Sequence, residues 1–460
     1  MFPRLQQSAK CKNQKRRIVM GTIILIIAFI TETAFATYCV ITRSKQEKVR
    51  SFIRIGALAA FILFTLVSVI QWSFRWYGLA ALLFVWAALG AWTLVGRKAE
   101  KKEFSAGRTV VNAITMLLLV CIAVTPALIL PQFTLPKPTG KHEIATVNFT
   151  YTDESRIETF TNTGEHRKVN VEFWYPKDAD GTYPLVVFSH GSGSIEISNT
   201  STFMDLASNG YVVCSMDHPY HSLFTIGSDG KLITVDPSYW QEYMDVSNGK
   251  YDGATVYKLE HKWMNLRTAD MNFVLDTILA HVKDSGSAAV YRLIDPGKIG
   301  LMGHSLGAVA SAQVARERSD IGAVVNLDAD LFGEYLDYVN GKEVLNDKPY
   351  PVPILNIFAD DLVRLMDAIP NANEVIAVKH IVATAPKAYE VHLRGTDHMS
   401  FTDLPLVSPF LVSMINSSVP KAGGVEVDPF ATIEKMNGLI LQFFNAYLKG
   451  EGTFTTSGAH

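Results

Sequence analysis

Ile299-Gly300-Leu301-Met302-Gly303-His304-Ser305-Leu306-Gly307-Ala308-Val309-Ala310-Ser311-Ala312 is the stretch that decides how this chain folds. An unbroken apolar run leads into a serine flanked two positions away on each side by glycine, and a run of small helix-compatible residues follows. A serine on so sharp a strand-to-helix turn has a strained backbone, and side chains at 303 and 307 would collide with neighbouring main chain. The glycines remove them. The turn then lifts the Ser305 hydroxyl clear of the sheet and aims the first helical N–H groups at whatever reacts there. The spacing therefore predicts a buried strand, a nucleophile elbow at Ser305 and a helix from about 306.

Working outward, further apolar runs recur through the second two thirds of the chain. They are Pro184-Leu185-Val186-Val187-Phe188, Tyr211-Val212-Val213-Cys214-Ser215, Ile321-Gly322-Ala323-Val324-Val325-Asn326-Leu327 and Val352-Pro353-Ile354-Leu355-Asn356-Ile357-Phe358. Stretches of helical period separate them, the pattern of buried parallel strands with helical crossovers. Lys168 to Tyr175 instead alternates, with Val169, Val171, Phe173 and Tyr175 on one face, which predicts an early half-exposed strand. The helix expected over roughly 261–283 carries Trp263, Leu266, Met271, Val274, Leu275 and Ile278 at core spacing. Between Pro219 and about His261 lies a polar and aromatic insertion with Trp240, Tyr243 and Tyr251, either a cap over the site or a solvated excursion.

The first 130 residues are of another kind. The 460-residue chain is 48% hydrophobic and 19% charged, with a mean hydropathy of +0.15, and the apolar excess is concentrated at the N-terminus. Four runs of the ~18 or more residues needed to cross a bilayer occupy about 18–41, 55–72, 77–95 and 109–130, after a basic tail over 1–17. Glu32 lies inside the first run, where a carboxylate is costly unless it faces other helices or an interface. A transport or relay role and an end-of-helix carboxylate inside a small bundle are the two readings. Trp72, Trp76 and Tyr77 between runs two and three read as interfacial anchors. Arg43, Lys45, Lys48 and Arg50 in the first loop, and Arg97, Lys98, Lys101, Lys102 and Arg108 in the third, point those loops to the cytoplasm and the C-terminal domain outside. The six positive residues of the tail (Arg4, Lys10, Lys12, Lys15, Arg16, Arg17) pull the other way. A proline-rich linker, 131–141, leads to a globular domain over 142–450 and a flexible C-terminal tail over 451–460.

The formal net charge of −2 and the absence of an aromatic-basic stripe exclude nucleic acid as a partner. Cys11, Cys39, Cys121 and Cys214 show no metal-ligand or disulfide spacing, Cys214 reads as core filler, and neither metal nor organic cofactor is expected. Gly191-Ser192-Gly193 lacks the lysine and spacing of a nucleotide loop.

The candidate chemistry follows from strand ends. Ser189-His190-Gly191-Ser192-Gly193-Ser194 follows an apolar strand as a glycine-bearing turn, so the backbone N–H groups of Ser192 and Leu306 are the expected oxyanion donors. Losing one such donor typically costs about 3 kcal/mol in barrier. His190 is read as shaping that turn. His398, in Gly395-Thr396-Asp397-His398-Met399-Ser400, lies after the last strand-like run and is the expected base for Ser305. His304 points away from the hydroxyl, and His218, His221 and His392 carry no motif. The acid is open on these grounds: Asp328 ends the strand after the elbow helix, whereas Asp360 and Asp361 end the next.

Phe188-Ser189-His190-Gly191-Ser192-Gly193, the elbow Gly303–Gly307, Leu327-Asp328-Ala329 and the stretch Asp397–Asp403 together resemble the plasma-type platelet-activating factor acetylhydrolases and their bacterial esterase relatives. The likeness runs from about Val147 to Lys449, includes Trp174-Tyr175-Pro176 and leaves out the four apolar runs. Ala308 stands where the family often has a further glycine. The resemblance implies an α/β-hydrolase fold, a metal- and calcium-independent serine carboxylic-ester hydrolase, short or oxidised acyl groups, and Asp328 as the acid. A peptidase or thioesterase on the same triad is the nearest rival. From another class comes a membrane sensor or transporter bearing a vestigial hydrolase domain. The expectation is a multi-pass membrane protein with a lipid or small-molecule ester as substrate.

Overall fold

In the computed structural model, residues 20–96, 104–177, 179–368, 376–416 and 427–460 are described. The tail 1–17, with Cys11, and the loop residues Arg97, Lys98, Lys101 and Lys102 lie outside them. The chain divides into two compact units. One comprises residues up to Thr134 together with Leu406–Val419, and the other comprises Leu135–Pro405 and 420–460.

The first unit is built on four helices, α1 (Met20–Ile41), α2 (Glu47–Leu66), α3 (Tyr77–Val95) and α4 (Ala106–Ile129), each long and apolar enough to cross a membrane. Their inner faces meet through Phe61, Trp76, Leu79, Leu83, Val120 and Val124. The second helix departs from the sequence reading of 55–72. It begins eight residues earlier, so Lys48 and Arg50 belong to its first turns instead of a loop. It stops at Leu66, where Ser68 turns to positive φ and Val69 and Ile70 donate back to the Phe64 carbonyl. A window chosen for unbroken apolarity discards a charged first turn and keeps the apolar turn beyond the end. Ser408 donates its hydroxyl to the carbonyl of Ile129, and helix Pro409–Asn416 is counted with this unit, which interrupts the expected continuous domain 142–450.

The second unit centres on one sheet. β1 (Ile144–Ile157), β2 (His166–Pro176), β3 (Tyr183–Ser189), helix α5 (Thr200–Ser208) and β4 (Val212–Met216) come first. A hairpin β5 (Phe224–Ile226) and β6 (Leu232–Thr234), then α6 (Pro237–Ser247) and α7 (Gly253–Lys283), make up the insertion and the crossover that follows it. After them run β7 (Ile294–His304), α8 (Leu306–Glu317), β8 (Ile321–Leu327), the small ribbon β9 (Tyr335–Val339) and β10 (Lys342–Leu345), β11 (Ile354–Phe358), α9 (Asp360–Ala368), β12 (Ala388–His392), α10 (Pro429–Phe444) and β13 (Gly458–Ala459). The sheet order is β1-β2-β4-β3-β7-β8-β11-β12-β13. β1 and β2 are antiparallel, β2 meets β4 antiparallel, and every pair from β4 to β13 is parallel.

Period-two alternation assigns side chains to two cores. Leu185 and Val187 of β3 face one layer with Met271, Val274, Leu275 and Ile278 of α7 and the small residues of α8. Val186 and Phe188 face the other, with Phe203 of α5 and Met436, Ile440, Phe443 and Phe444 of α10. Each such side chain contributes about 2 kcal/mol on burial. α7 starts at 253, eight residues before the expected 261, because the Asp252 carboxylate accepts the Thr255 N–H and supplies an N-cap within the apparent insertion.

Two stretches expected to be loose are packed. Thr139 donates its N–H and hydroxyl to the Asp205 carboxylate and Gly140 donates to the Ser208 hydroxyl, so the second half of the 131–141 linker belongs to the catalytic unit. The 451–460 tail adds a ninth strand, with Gly458 and Ala459 beside Val391 and His392 and Phe454 buried.

Candidate active site

Ser305 sits between the end of β7 and the start of α8 at φ 55°, ψ −130°, a conformation that costs a non-glycine residue on the order of 1–3 kcal/mol. The elbow glycines explain how it is held. A Cβ on Gly303 would come within 2.2 Å of the Gly307 carbonyl, and one on Gly307 within 2.0 Å of the Ser189 carbonyl oxygen. Ser305 N–H donates to Leu327 O at 3.0 Å, which ties the elbow to the end of β8. Asp328, the next residue, also has a positive φ, 58°.

That twist turns the Asp328 carboxylate toward two donors. Its Oδ1 accepts the Ala359 N–H at 2.7 Å, and its Oδ2 lies 2.7 Å from His398 Nδ1. An ionised carboxylate only accepts, so Nδ1 carries the proton and Nε2 is left with its lone pair. Burial pushes the His398 imidazole down, but the hydrogen bond and charge of Asp328, followed by Asp397 and Asp361, outweigh it and the pKa is raised. The His398 side chain keeps 40% of its surface exposed while Asp328 keeps 3%: the base is reachable and the acid is not. Among the described residues Ser305 Oγ makes no hydrogen bond.

The alternative acids are engaged elsewhere. Asp360 Oδ1 is 2.7 Å from His392 Nε2 and its Oδ2 accepts the Gly395 N–H, while Asp361 pairs with Arg364. His304 is buried with Nε2 2.9 Å from the His398 carbonyl, and burial, then the nearby His398, holds its pKa well below the ordinary value. His304 braces the base's main chain and faces away from the nucleophile.

The turn after β3 abuts the elbow. A Cβ on Gly191 would lie 3.2 Å from Ser305 Cβ, and one on Gly193 would lie 2.4 Å from the Trp240 ring, so α6 of the insertion packs against this turn. Among the described residues neither the Ser192 nor the Leu306 N–H is spent on a backbone hydrogen bond. His190 shapes the turn, with Nδ1 2.6 Å from Gly191 O and Nε2 2.8 Å from Ser222 Oγ.

Arg267, absent from the sequence reading, has a larger part. Fully buried on α7, it donates to the carbonyls of His190 and Gly191. Holding both carbonyls on one side leaves the amides of the turn facing the other. The available signal was a basic residue inside the apolar stripe Trp263–Ile278, with Asp270 one turn further on.

Behind the turn lies a second, enclosed constellation that sequence reasoning also missed. Ser189 Oγ is 2.9 Å from His218 Nε2, and His218 Nδ1 is 3.0 Å from Asp270 Oδ2. Arg167 grips both oxygens of Asp270 at 2.7 Å and reaches Glu158 at 2.9 Å, and Arg156 lies 2.9 Å from Asp270 Oδ1.

A nine-stranded, mostly parallel sheet with a strained serine after a central strand, an acid after the next and a histidine after β12 defines an α/β-hydrolase. Among described residues no group of three or more potential metal ligands occurs. The platelet-activating factor acetylhydrolase, isoform II, family matches residues 154–457. This chain belongs to that family. It is 21% identical over 253 residues to the platelet-activating factor acetylhydrolase of Bos taurus, covering 51% of each chain. It is 29% identical over 187 residues to a probable 1-alkyl-2-acetylglycerophosphocholine esterase of Arthroderma benhamiae, covering 40% of each. The chain spans 51% of the bovine and 62% of the chicken acetylhydrolase. Among solved structures, a ferulic acid esterase from Streptomyces cinnamoneus superposes with a TM-score of 0.53 at 20% identity, over 69% of this chain and 94% of that one, a likeness of fold.

Proposed function

We propose that this chain is a membrane-anchored serine carboxylic-ester hydrolase. The observation that carries the reading is the 2.7 Å contact of Asp328 Oδ2 with His398 Nδ1, beside a serine at φ 55° on the elbow. In the proposed reaction Ser305 Oγ attacks the ester carbonyl as His398 Nε2 takes its proton. The Ser192 and Leu306 amides receive the oxyanion, and Asp328 stabilises the imidazolium. The tetrahedral species collapses as His398 returns the proton to the departing alkoxide, leaving an acyl-enzyme. A water, deprotonated by the same nitrogen, attacks that acyl group and regenerates Ser305.

The Trp240 ring packs against the turn at Gly193, beside the proposed oxyanion donor Ser192. Together with the acetyl esters named for the family's members, this favours a short acyl group on a glycerophospholipid-like alcohol. The four apolar helices tether the catalytic unit to a bilayer where such esters reside. The basic residues of the first and third loops favour the opposite side of that membrane for the catalytic unit.

The test combines fluorophosphonate labelling with a panel of p-nitrophenyl esters, a thioester and a peptide. Expected are labelling at Ser305 and hydrolysis that falls as the acyl chain lengthens. Absence of labelling would overturn the hydrolase reading, and a preference for thioester or peptide would reassign the substrate. Protease accessibility on intact cells reports the sidedness.

A further inference from the structure

The bundle carries a cavity of about 840 Å³ at the end where α1 meets α2 and α3 meets α4. Its lining includes five cations, Lys45, Lys48, Arg50, Arg54 and Arg108, against one carboxylate, Glu47. Arg50 and Arg54 stand one turn apart on the same face of α2, where neighbouring side chains can act together. Lys45, Lys48 and Arg108 sit at or near helix ends, where flanking basic residues need no further account. Arg54 is different. It lies seven residues into an apolar helix, about 10 Å along its axis, a depth at which a cation is costly without a partner.

Among the described residues the partners are few. Arg50 Nη2 is 4.0 Å from Glu32 Oε2, and its guanidinium lies over the Phe35 ring at 4.8 Å. The Nε atoms of both arginines are buried without a hydrogen-bond partner, as is Glu32 Oε2. Glu32 therefore reads as a counterion that meets part of the arginine charge. Two planar donor forks, one incompletely met and one with its Nε unpartnered among the described residues, match the geometry of a tetrahedral oxyanion.

We infer that the bundle binds a phosphate-bearing anion in this cavity, with Arg50 and Arg54 as its principal ligands. The source is either the headgroup of an anionic phospholipid or a free phosphate. The lipid source and the cost of Arg54 at its depth rest on the proposed membrane-spanning reading; the cluster of cations lining the cavity does not.

The test uses the full chain purified in a zwitterionic detergent. Native mass spectrometry reads retention of phosphatidylglycerol against phosphatidylcholine, and calorimetry reads binding of inorganic phosphate. Expected is preferential retention of phosphatidylglycerol, weakened roughly tenfold or more in Arg54→Gln, partly restored in Arg54→Lys and lost in Arg50→Gln/Arg54→Gln. Far-UV circular dichroism and the melting temperature of the full chain in detergent should stay at the parent level, which separates loss of the ligand from loss of the fold. Phosphatidylglycerol retained without phosphate binding identifies the lipid headgroup. Phosphate binding that displaces the lipid identifies the free anion as competent. Should the variants misfold, the parent still decides, because equal retention of the two lipids together with no heat on adding phosphate overturns the inference. Equal binding by parent and well-folded Arg50→Gln/Arg54→Gln does the same. Failure of the membrane reading would show separately, as protein released by alkaline carbonate.

Discussion

Two groups of one serine, one histidine and one aspartate occupy the second unit, and their differences underlie the proposal that only one of them does chemistry. At the strand ends, Asp328 holds an imidazole that is 40% exposed, near a serine on a strained turn. Behind the turn after β3, Ser189, His218 and Asp270 are linked in series at 2.9 and 3.0 Å, including a serine–histidine contact that Ser305 does not make among the described residues, and all three are fully buried. Their proton affinities diverge as well. Burial lowers both imidazoles, but at His398 Asp328 prevails and the pKa is raised. At His218 burial and then the Arg267 charge prevail, pushing it down to about 4. Asp270, which also pairs with Arg167, raises the His218 pKa by its hydrogen bond and charge, but by less than burial and Arg267 lower it. Residue types and the histidine–carboxylate contact are shared, so under the proposed mechanism access and the direction of the imidazole's pKa separate the reactive set from the structural one.

The largest effect that could break this contrast lies at the two serines. Ser305→Ala should lower ester hydrolysis by roughly 10³-fold or more and abolish fluorophosphonate labelling. Ser189→Ala should keep the label and change turnover less than tenfold, its cost appearing in the melting temperature instead. Labelling of Ser189, or hydrolysis surviving in Ser305→Ala, would invert the assignment.

Next in size is Asp328→Asn, with an expected loss on the order of 10²–10⁴-fold. Because Asp328 raises the His398 pKa, the acid limb of kcat/KM against pH should lie above the ordinary histidine value of 6.5 in the parent and move to lower pH in the variant. A limb that stays in place would show that the two residues are not coupled. Asp360→Asn, whose carboxylate serves His392 and Gly395, should leave both rate and limb nearly unchanged.

These residues were not equally legible in the sequence. The elbow is written in five consecutive residues, because a close-approach requirement at 303 and 307 admits only glycine, and so it was read outright. His398 was readable from order along the chain. The acid was narrowed only to two strand ends, since choosing between them depends on a positive φ at 328 that bends its carboxylate toward a residue 70 positions away. Arg167 and Asp270, 103 positions apart, left no local trace: each is a lone charge within a stretch read as half-exposed strand or core helix. β13 escaped for a related reason, since two residues have no period and exist as strand only because the β12 edge is there to pair with.

The buried set can be tested on its own terms. Asp270→Asn leaves the buried Arg167 guanidinium with Glu158 as its remaining anionic partner, and losing one partner of a buried pair costs about 3–5 kcal/mol. Denaturant melts should show this, while labelling of the remaining folded protein persists. The cost of His218→Gln should be smaller and should depend on pH. The folded-state value of about 4 lies below the ordinary 6.5, so as pH falls through that window the unfolded chain takes the proton first and the parent loses stability. The variant lacks that loss, and the gap between them should narrow from pH 6.5 to 4. A constant gap would mean that His218 is not held neutral.

The smallest effect sharpens the contrast from a third carboxyl. Asp403 is as enclosed as Asp270, but its partners are neutral: its Oδ2 accepts the Ser201 N–H at 2.8 Å and its Oδ1 contacts the Ser201 hydroxyl. Burial, with no cation to oppose it, pushes its pKa up to about 7 against an ordinary 3.8. Between those values the unfolded chain releases its proton first, so this group lowers stability as pH rises toward neutrality. A protonated carboxyl can donate to Ser201 Oγ and accept from Ser201 N–H, and an asparagine amide can do both. Asp403→Asn should therefore shift stability by less than about 1 kcal/mol at pH 5, and should gain on the parent as pH rises to 8, read as the difference in melting temperature between the two pH values. If the variant instead loses ground with rising pH, Asp403 is an ion like Asp270. Burial alone would then not distinguish a carboxyl that keeps its proton from one whose charge is claimed by an arginine.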